Sequence, residues 1–411
     1  MDVVVSTFGS AGDVFPMLGL ALALRGRGHA VTFATNPYFA EVVARHGLPF
    51  EPLGTTEGFL AVVADPELWK PRRGFRTVFE SLRPALKDQY ALHARRGGVA
   101  VTNVFGLGAL LARETHGLPV VSVHLQPAVL WSDHAPPALP GMFGPRWLLR
   151  LQYRVGVRLY VHPTVARFVD PWRAELGLKP LPRVDRWWHS PDGVVGLFPE
   201  WLAPPQPDWP PNTVLTDFPL WNDGSAAGLP PDVAAFLDAG DPPVVFTPGT
   251  ANAHARAFFA AALDACRRLG RRALLLTKFP EQLPPLPPGA AHFAYVPLDV
   301  LLPRAAAFVH HGGVGSMSQA LAAGVPQLVM PLAHDQFDTV ARVEKLGVGT
   351  GLGVKRFTGP RVAAVLGKVL ASDDVAKACR AAATRLTTRD GLARAAAAVE
   401  DLAQRQETPP P

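Results

Sequence analysis

Short apolar runs, separated by longer stretches of helical spacing, organise this chain from its first residues. Val3, Val4 and Val5 form a β-branched strand, the segment GSAGD interrupts it, and from Phe15 to Arg27 apolar residues recur at the spacing of a helix with one buried face. HAVTFAT, GVAVTNVF and LPVVSVHL repeat the strand signal with helical sequence between them. Near-continuous apolar strands alternating with helices predict a parallel sheet covered on both faces, because only strands buried on both sides dispense with in-out alternation. The pattern returns in the second half. Pro243-Val244-Val245-Phe246 is a strand, TPGTAN a glycine turn and Ala255 to Leu269 a helix, and RRALLLTK, AHFAYVP, AAFVHH and PQLVMP supply further strands.

Between the halves the pattern breaks. Residues 199–232 hold PEWLAPPQPDWPP and WNDGSAAGLPPD, and proline at this density propagates neither helix nor central strand, so an extended linker is expected there. The predicted organisation is a first α/β domain over residues 1–219, a second over 220–390, and a C-terminal segment, 391–411. That segment's helix is expected to cross back onto the first domain ahead of a disordered ETPPP tail. A length of 411 residues supports two cores, with a cleft between them as the expected working site.

Composition narrows the function classes. With 48% hydrophobic and 18% charged residues the chain has enough apolar sequence to build large cores, which excludes disorder over most of its length. The net charge of +6 is scattered, with Arg25, Arg27, Arg271 and Arg272 at helix ends, where cations offset the helix dipole. Nucleic acid is therefore not an expected partner, whereas a weak peripheral attraction to anionic phospholipid is. No stretch offers 18 uninterrupted apolar residues, and MDVVVSTFG lacks the charged-then-apolar order of a secretion signal, so a cytoplasmic location, with contact at the inner membrane face, is expected. Cys266 and Cys379 lie in separate helical stretches without neighbouring His or Cys, which argues against a zinc site or a disulfide framework.

The segment FVHHGGVGSMSQALAAGVPQLVMPLAHDQFD, residues 308–338, is the richest in chemistry. A strand ends at Val309, Gly312, Gly313 and Gly315 permit a tight turn, and a helix begins near Ser316. Such a turn leaves unpaired amides at the positive end of a helix dipole, which suits a diphosphate. His311 stands where it can donate a hydrogen bond or positive charge, Ser316 adds a hydroxyl, and His310 is expected to face the core. Taken alone, the turn also fits a packing or capping role. Asp335 and Gln336 end the next strand with an acid and an amide suited to sugar hydroxyls. In the first loop, Asp13 is placed either as a general base or as a cap for the helix that follows.

The His-Gly-Gly turn, the helix ending in AAGVP and the Asp-Gln pair after the next strand resemble the donor signature of family 1 glycosyltransferases. The resemblance implies the GT-B architecture, two facing Rossmann-like α/β domains, and an inverting transfer from a nucleoside-diphosphate sugar, which is a co-substrate and leaves no other cofactor expected. It places His311 on the diphosphate, Gly313, Val314, Gly315 and Ser316 along the phosphate turn, Thr250 at the distal phosphate, and Asp335 and Gln336 on the sugar. Val296 stands where many members stack a tryptophan on the base and Gln319 where plant members hold the ribose with a glutamate, so UDP- and dTDP-sugars are both open. Asp13 matches the family's catalytic His or Asp, while Thr102 and Asn103 stand where plant members carry a second acid. No Asp-X-Asp occurs, so no metal is expected; amides, helix dipole and His311 would stabilise the leaving diphosphate.

The acceptor side is expected in the first half, from Gly12, Phe59, Trp69, Phe79, Phe105, His124, Trp131 and His134. Aromatic side chains favour an apolar acceptor: a hydroxy-fatty acyl, polyketide, phenolic or sterol-like molecule. GSAGDVFPMLGLALALRGRGH and HSPDGVVGLFPEWLAPPQPDWP look particularly like bacterial rhamnosyltransferases of rhamnolipid synthesis, which act on hydroxy-fatty acids. Rival readings on the same plan are a nucleotide-sugar epimerase, a phosphorylase with pyridoxal phosphate on Lys278 or Lys345, and an inactive nucleotide-sugar-binding homologue.

Overall fold

The computed structural model describes residues 1–70, 73–224, 228–387 and 390–407, with side chains through 405. The chain divides into two compact units, Met1–Pro219 with Asp390–Pro411, and Leu220–Arg389. The proline tail lies outside the described residues.

In the first unit, strands β1 (Asp2–Ser6), β2 (Ala30–Thr35), β3 (Phe50–Pro52), β4 (Val99–Thr102), β5 (Val120–His124), β6 (Gly193–Gly196) and β7 (Thr213–Leu215) form one sheet in the order β3-β2-β1-β4-β5-β6-β7. In the second, β8 (Val244–Thr247), β9 (Ala273–Leu276), β10 (Ala290–Phe293), β11 (Ala307–His310), β12 (Gln327–Val329) and β13 (Gly349–Gly351) run in the order β10-β9-β8-β11-β12-β13. Every pairing is parallel, with Val3 opposite Val31 on one side and Val99 on the other. The apolar runs read from the sequence are these central strands. Val3, Val4, Val5, Val244, Val245 and Phe246 are fully buried, as strands sandwiched between helices require.

Both sheets reverse direction at the same point, between β1 and β4 and between β8 and β11. Ligands of open parallel sheets bind beyond the carboxyl ends of the strands at such a reversal. The chain leaves β1 towards Asp13, β8 towards Thr250 and β11 towards His311, so the topology alone singles out these three loops.

The proline-rich stretch corrects the linker reading. Much of it folds into the first unit, where Leu202, Ala203, Trp209 and Phe218 are buried and β7 pairs with β6. The prolines bracket a three-residue edge strand, the position in a sheet that tolerates them.

The helix Gly391–Glu407 packs on the first unit, against β5, β6 and the helix Ala11–Gly26. Glu400 pairs with Arg27 and His29, each at 2.6 Å, and Arg394 with Asp217. Leu402 fills the notch left by Gly193, where a β-carbon would stand 2.6 Å from it. Leu402→Ala empties that notch, and a loss of about 2–5 kcal/mol in denaturant unfolding is expected; an unchanged stability would show that the helix does not complete this core.

Candidate active site

In the second unit, the turn after β11 is built by two histidines with different work. His310 Nδ1 accepts the Gly312 amide (3.1 Å), which puts the ring proton on Nε2, and that atom donates to Gln327 Oε1 (3.0 Å). His310 is fully buried, and burial pushes its pKa down to about 3, so it is a neutral pin for the turn. His311 lies between two glycines: a β-carbon on Gly313 would stand 2.7 Å from its Nε2, and one on Gly249 3.0 Å. Its Nδ1 is buried without a hydrogen-bond partner among the described residues, and burial pushes the imidazole down to about 4. At neutral pH the ring is therefore uncharged. A neutral imidazole carries one N–H, so what the ring itself can offer is a hydrogen bond and not a positive charge.

Gly312 has φ +100°, a left-handed conformation that glycine adopts without penalty, and a β-carbon there would meet Val329 at 2.9 Å. The helix Val314–Ala323 begins directly after Gly313, two residues earlier than expected, and no side chain caps it. The first amide to bond back is that of Met317, to Gly313 O (3.0 Å); those of Val314, Gly315 and Ser316 have no partner among the described residues. Three free amides at the positive end of a helix dipole, with the His311 ring packed against Gly313 where that helix starts, make a setting suited to an anion.

The other donor candidates divide. Thr250 is exposed on the turn after β8, Ser316 is half-buried in the first helical turn, and Gln319 is buried one turn further along. Gln336 Oε1 accepts the amides of Leu332 (2.7 Å) and Ala333 (3.0 Å), so only its Nε2 is left for a ligand. Asp335 precedes the helix Gln336–Leu346 and follows His334, held at φ +56°. Backbone strain of that kind collects where a loop is fixed for function. Val296 is a correction: it is 1% exposed and packs with Leu274, Leu301, Leu302 and Phe308, so its side chain belongs to the core and not to a base-stacking surface.

In the first unit, Asp13 is the third residue of the helix Ala11–Gly26 and closes a capping box with Ser10. Its Oδ2 accepts the Ser10 amide (2.9 Å) and hydroxyl (3.1 Å), while Oδ1 has no partner among the described residues. Cap and base are thus compatible, one oxygen for each. Burial raises the carboxyl to about 6 against the lowering effect of the Ser10 bonds, although the residue keeps some surface. Gly9, at φ +120°, is needed because a β-carbon there would overlap Asp13 Oδ2 at 2.3 Å. Asn103 Nδ2 holds the Phe8 carbonyl at 2.7 Å and so fixes the root of the loop. Gly12 is exposed beside Asp13, its amide on Ser10 Oγ (3.3 Å).

Phe59 packs on Tyr38 (4.7 Å between ring centres) and Phe39 (5.5 Å), and Phe39 on Phe15 (6.4 Å), two residues beyond Asp13. Phe105 and Trp131 are half-buried members of a second cluster, on Phe79 (6.5 Å) and Trp188 (5.4 Å). Trp69 is half-buried in the turn Pro66–Trp69. Two acceptor assignments fail. Phe79 is 1% exposed, enclosed by Phe75, Phe168 and Trp188, and is core; His124 is buried at the end of β5, bonded to His189 Nδ1 (2.9 Å) and held neutral by burial. His134 is exposed on a turn pinned by Ser132.

Residues 3–115 match the model of the glycosyltransferase family 28 N-terminal domain, and residues 273–400 that of the erythromycin biosynthesis protein CIII-like C-terminal domain. The chain is 32% identical to glycosyltransferase GtfC of Amycolatopsis orientalis, over 99% of each chain. It belongs to the GT-B glycosyltransferases.

This glycosyltransferase is also 30% identical to the vancomycin aglycone glucosyltransferase of the same organism, over 99% of both chains. The solved glycosyltransferase VinC, in complex with dTDP, shares its fold at a TM-score of 0.71 and 19% identity, over 98% of this chain and 100% of that one. Several supporting residues of the enzyme escaped the sequence reading: Gly9, Ser10, Gly249, Phe15, Tyr38 and Phe39. The glycines that end strands carried a signal, because a left-handed or close-packed position at a strand end marks an approach of backbone to ligand or side chain. The aromatic cluster carried none, since Phe15, Tyr38 and Phe59 meet only through the tertiary fold.

Proposed function

We propose that this glycosyltransferase moves a sugar from a UDP- or dTDP-sugar to a hydroxyl of an apolar acceptor, with inversion and without a divalent metal. The uncapped helix Val314–Ala323 beside His311 carries the donor half of this reading. Negative charge developing on the departing diphosphate is met by three amides, the helix dipole and the imidazole N–H, all in place before reaction. A nearby dianion raises the pKa of a histidine, so donor binding draws a proton onto His311 and strengthens the contact. Thr250, Asp335 and the Nε2 of Gln336 are assigned to the distal phosphate and the sugar hydroxyls.

Asp13 is the base. A carboxylate of pKa about 6 is mostly ionised at neutral pH yet more basic than an exposed aspartate. It takes the acceptor proton as the anomeric carbon passes through an oxocarbenium-like state. Its orientation is fixed by Ser10, so no second acid is needed at Asn103. A single displacement, with attack opposite the leaving group, inverts the anomeric carbon. The Phe15, Tyr38, Phe39 and Phe59 cluster favours an apolar acceptor. The aglycone in one relative's name and the dTDP in the solved neighbour support an antibiotic-type aglycone and a dTDP-linked donor.

The reading is tested by mixing the enzyme with UDP- and dTDP-sugars and a panel of apolar hydroxylated acceptors, in EDTA and in Mg²⁺. A product of opposite anomeric configuration, formed at equal rates in both, is expected. Retained configuration, or turnover lost in EDTA and restored by metal, would overturn it, and a new nucleotide sugar formed without acceptor would select the epimerase.

A further inference from the structure

The first unit carries an apolar row on its surface. Phe143 (71% exposed), Trp147 (67%), Leu151 (52%), Val155 (46%) and Leu159 (70%) recur every four residues. From Trp147 onwards they lie on one helical rod, made of the helix Arg146–Gly156, a wider π turn Val157–Val161 and the helix His162–Glu175. Tyr153, Val165 and Val169 on the same rod are buried, so the row is separate from the face that packs on the protein. Arg146, Arg150, Arg154 and Arg158 also recur every four residues, each one position before an apolar neighbour, and all are exposed. Asp133 neutralises part of this charge through Arg154 (2.6 Å), whereas Arg146 and Arg158 make no hydrogen bond among the described residues. Between Gly141 and Val169 the sequence holds no Asp or Glu.

We infer that this face docks the enzyme on an anionic phospholipid surface, with the apolar row at the headgroup–acyl boundary and the arginines on lipid phosphates. An amphipathic helix with large apolar residues on one side and arginines beside them lies in a membrane interface in this way. The aromatic rings of Phe143, Trp147 and Tyr160 suit the boundary between water and hydrocarbon. Charge decides the occupant. A second copy of the chain would bring two arginine rows together in a self-complementary pairing, which like-charge repulsion opposes. An anionic bilayer matches both rows at once, and the net charge of +6 adds long-range attraction. No helix among the described residues is long and apolar enough to cross a membrane, so the contact is peripheral.

The test is co-sedimentation of the full chain with vesicles of phosphatidylcholine alone or mixed with phosphatidylglycerol, at low and high salt. Binding to the mixed vesicles only, weakened by salt, is expected. Arg146→Gln with Arg158→Gln should weaken it roughly five-fold per arginine at low salt, and Leu151→Glu with Leu159→Glu at least about ten-fold, both with unchanged Tm. A Leu159→Cys variant reports insertion directly, because Cys266 and Cys379 are buried with thiols raised to about 12 and 11, which leaves the new thiol as the one that takes an environment-sensitive dye. A blue shift on mixed vesicles is expected. Absent vesicle binding, binding undiminished in the glutamate pair, an unshifted dye, or a dimer or acidic-protein complex lost in that pair without any vesicle binding would each overturn the inference.

Discussion

Asp13→Asn should lower kcat by about 10²- to 10⁴-fold, the range for loss of a positioned general base, while Tm stays at or above that of the wild type. The stability half follows from the direction of the pKa shift. A carboxyl raised from 3.8 to about 6 favours the folded state most when protonated; that contribution is complete below about pH 4 and is lost as pH rises through 6. At neutral pH the ionised Asp13 is a cost, which asparagine removes while its Oδ1 still accepts the Ser10 amide. In the wild type the rate should rise with pH through about 6, opposite to this stability term. An Asn variant of full activity, or a flat acid limb, would show that Asp13 only caps its helix.

His311→Ala should lower kcat by about 10²- to 10³-fold, the effect of removing one preorganised donor from a site of developing negative charge. Gly313→Ala is the sharper companion. Gly313 has φ −61° and ψ 139°, which alanine adopts freely, so the only penalty is the meeting of its methyl with the His311 ring at 2.7 Å. The ring must move, and a misplacement of this size costs about 10²-fold. Both variants should raise the donor KM as well, with Asp13→Asn leaving it near the wild-type value. Normal kinetics in Gly313→Ala would mean that the ring position is irrelevant to the donor.

The two-sheet α/β architecture was legible because its central strands are apolar on both faces, and Val3 to Val5 and Val244 to Phe246 announce themselves without knowledge of their partners. The short edges were not. Gly349-Thr350-Gly351 contains no apolar run, and it is a strand because a glycine fits beside the Gln327 carbonyl, where a β-carbon at 349 would come within 1.9 Å. β7 was hidden by proline, whose exclusion from central strands says little about a three-residue edge. The loops at the sheet reversals were legible in composition, since glycine, serine, aspartate and histidine at strand ends have few structural uses together. Orientation was not: Val296 and Phe79 differ from surface residues only through the elements that close over them, and His124 faces inward because His189, 65 residues away, meets it. The row from Phe143 to Leu159 was present in the sequence as a four-residue repeat, but exposure distinguishes it from an ordinary core face only in three dimensions.

Binding of a nucleoside diphosphate by the amides of Val314 to Ser316 and by His311 underlies every step proposed for this enzyme. It is tested most directly by thermal unfolding with UDP, dTDP, GDP and ADP, with and without Mg²⁺, on the wild type and on His311→Ala. A nucleotide at about a hundred times its Kd adds about 2.7 kcal/mol, a shift of several degrees in a protein of this size. UDP or dTDP should raise Tm equally with and without Mg²⁺, and His311→Ala should diminish the shift. No shift with any nucleotide at millimolar concentration, or a shift of undiminished size in His311→Ala, would contradict it.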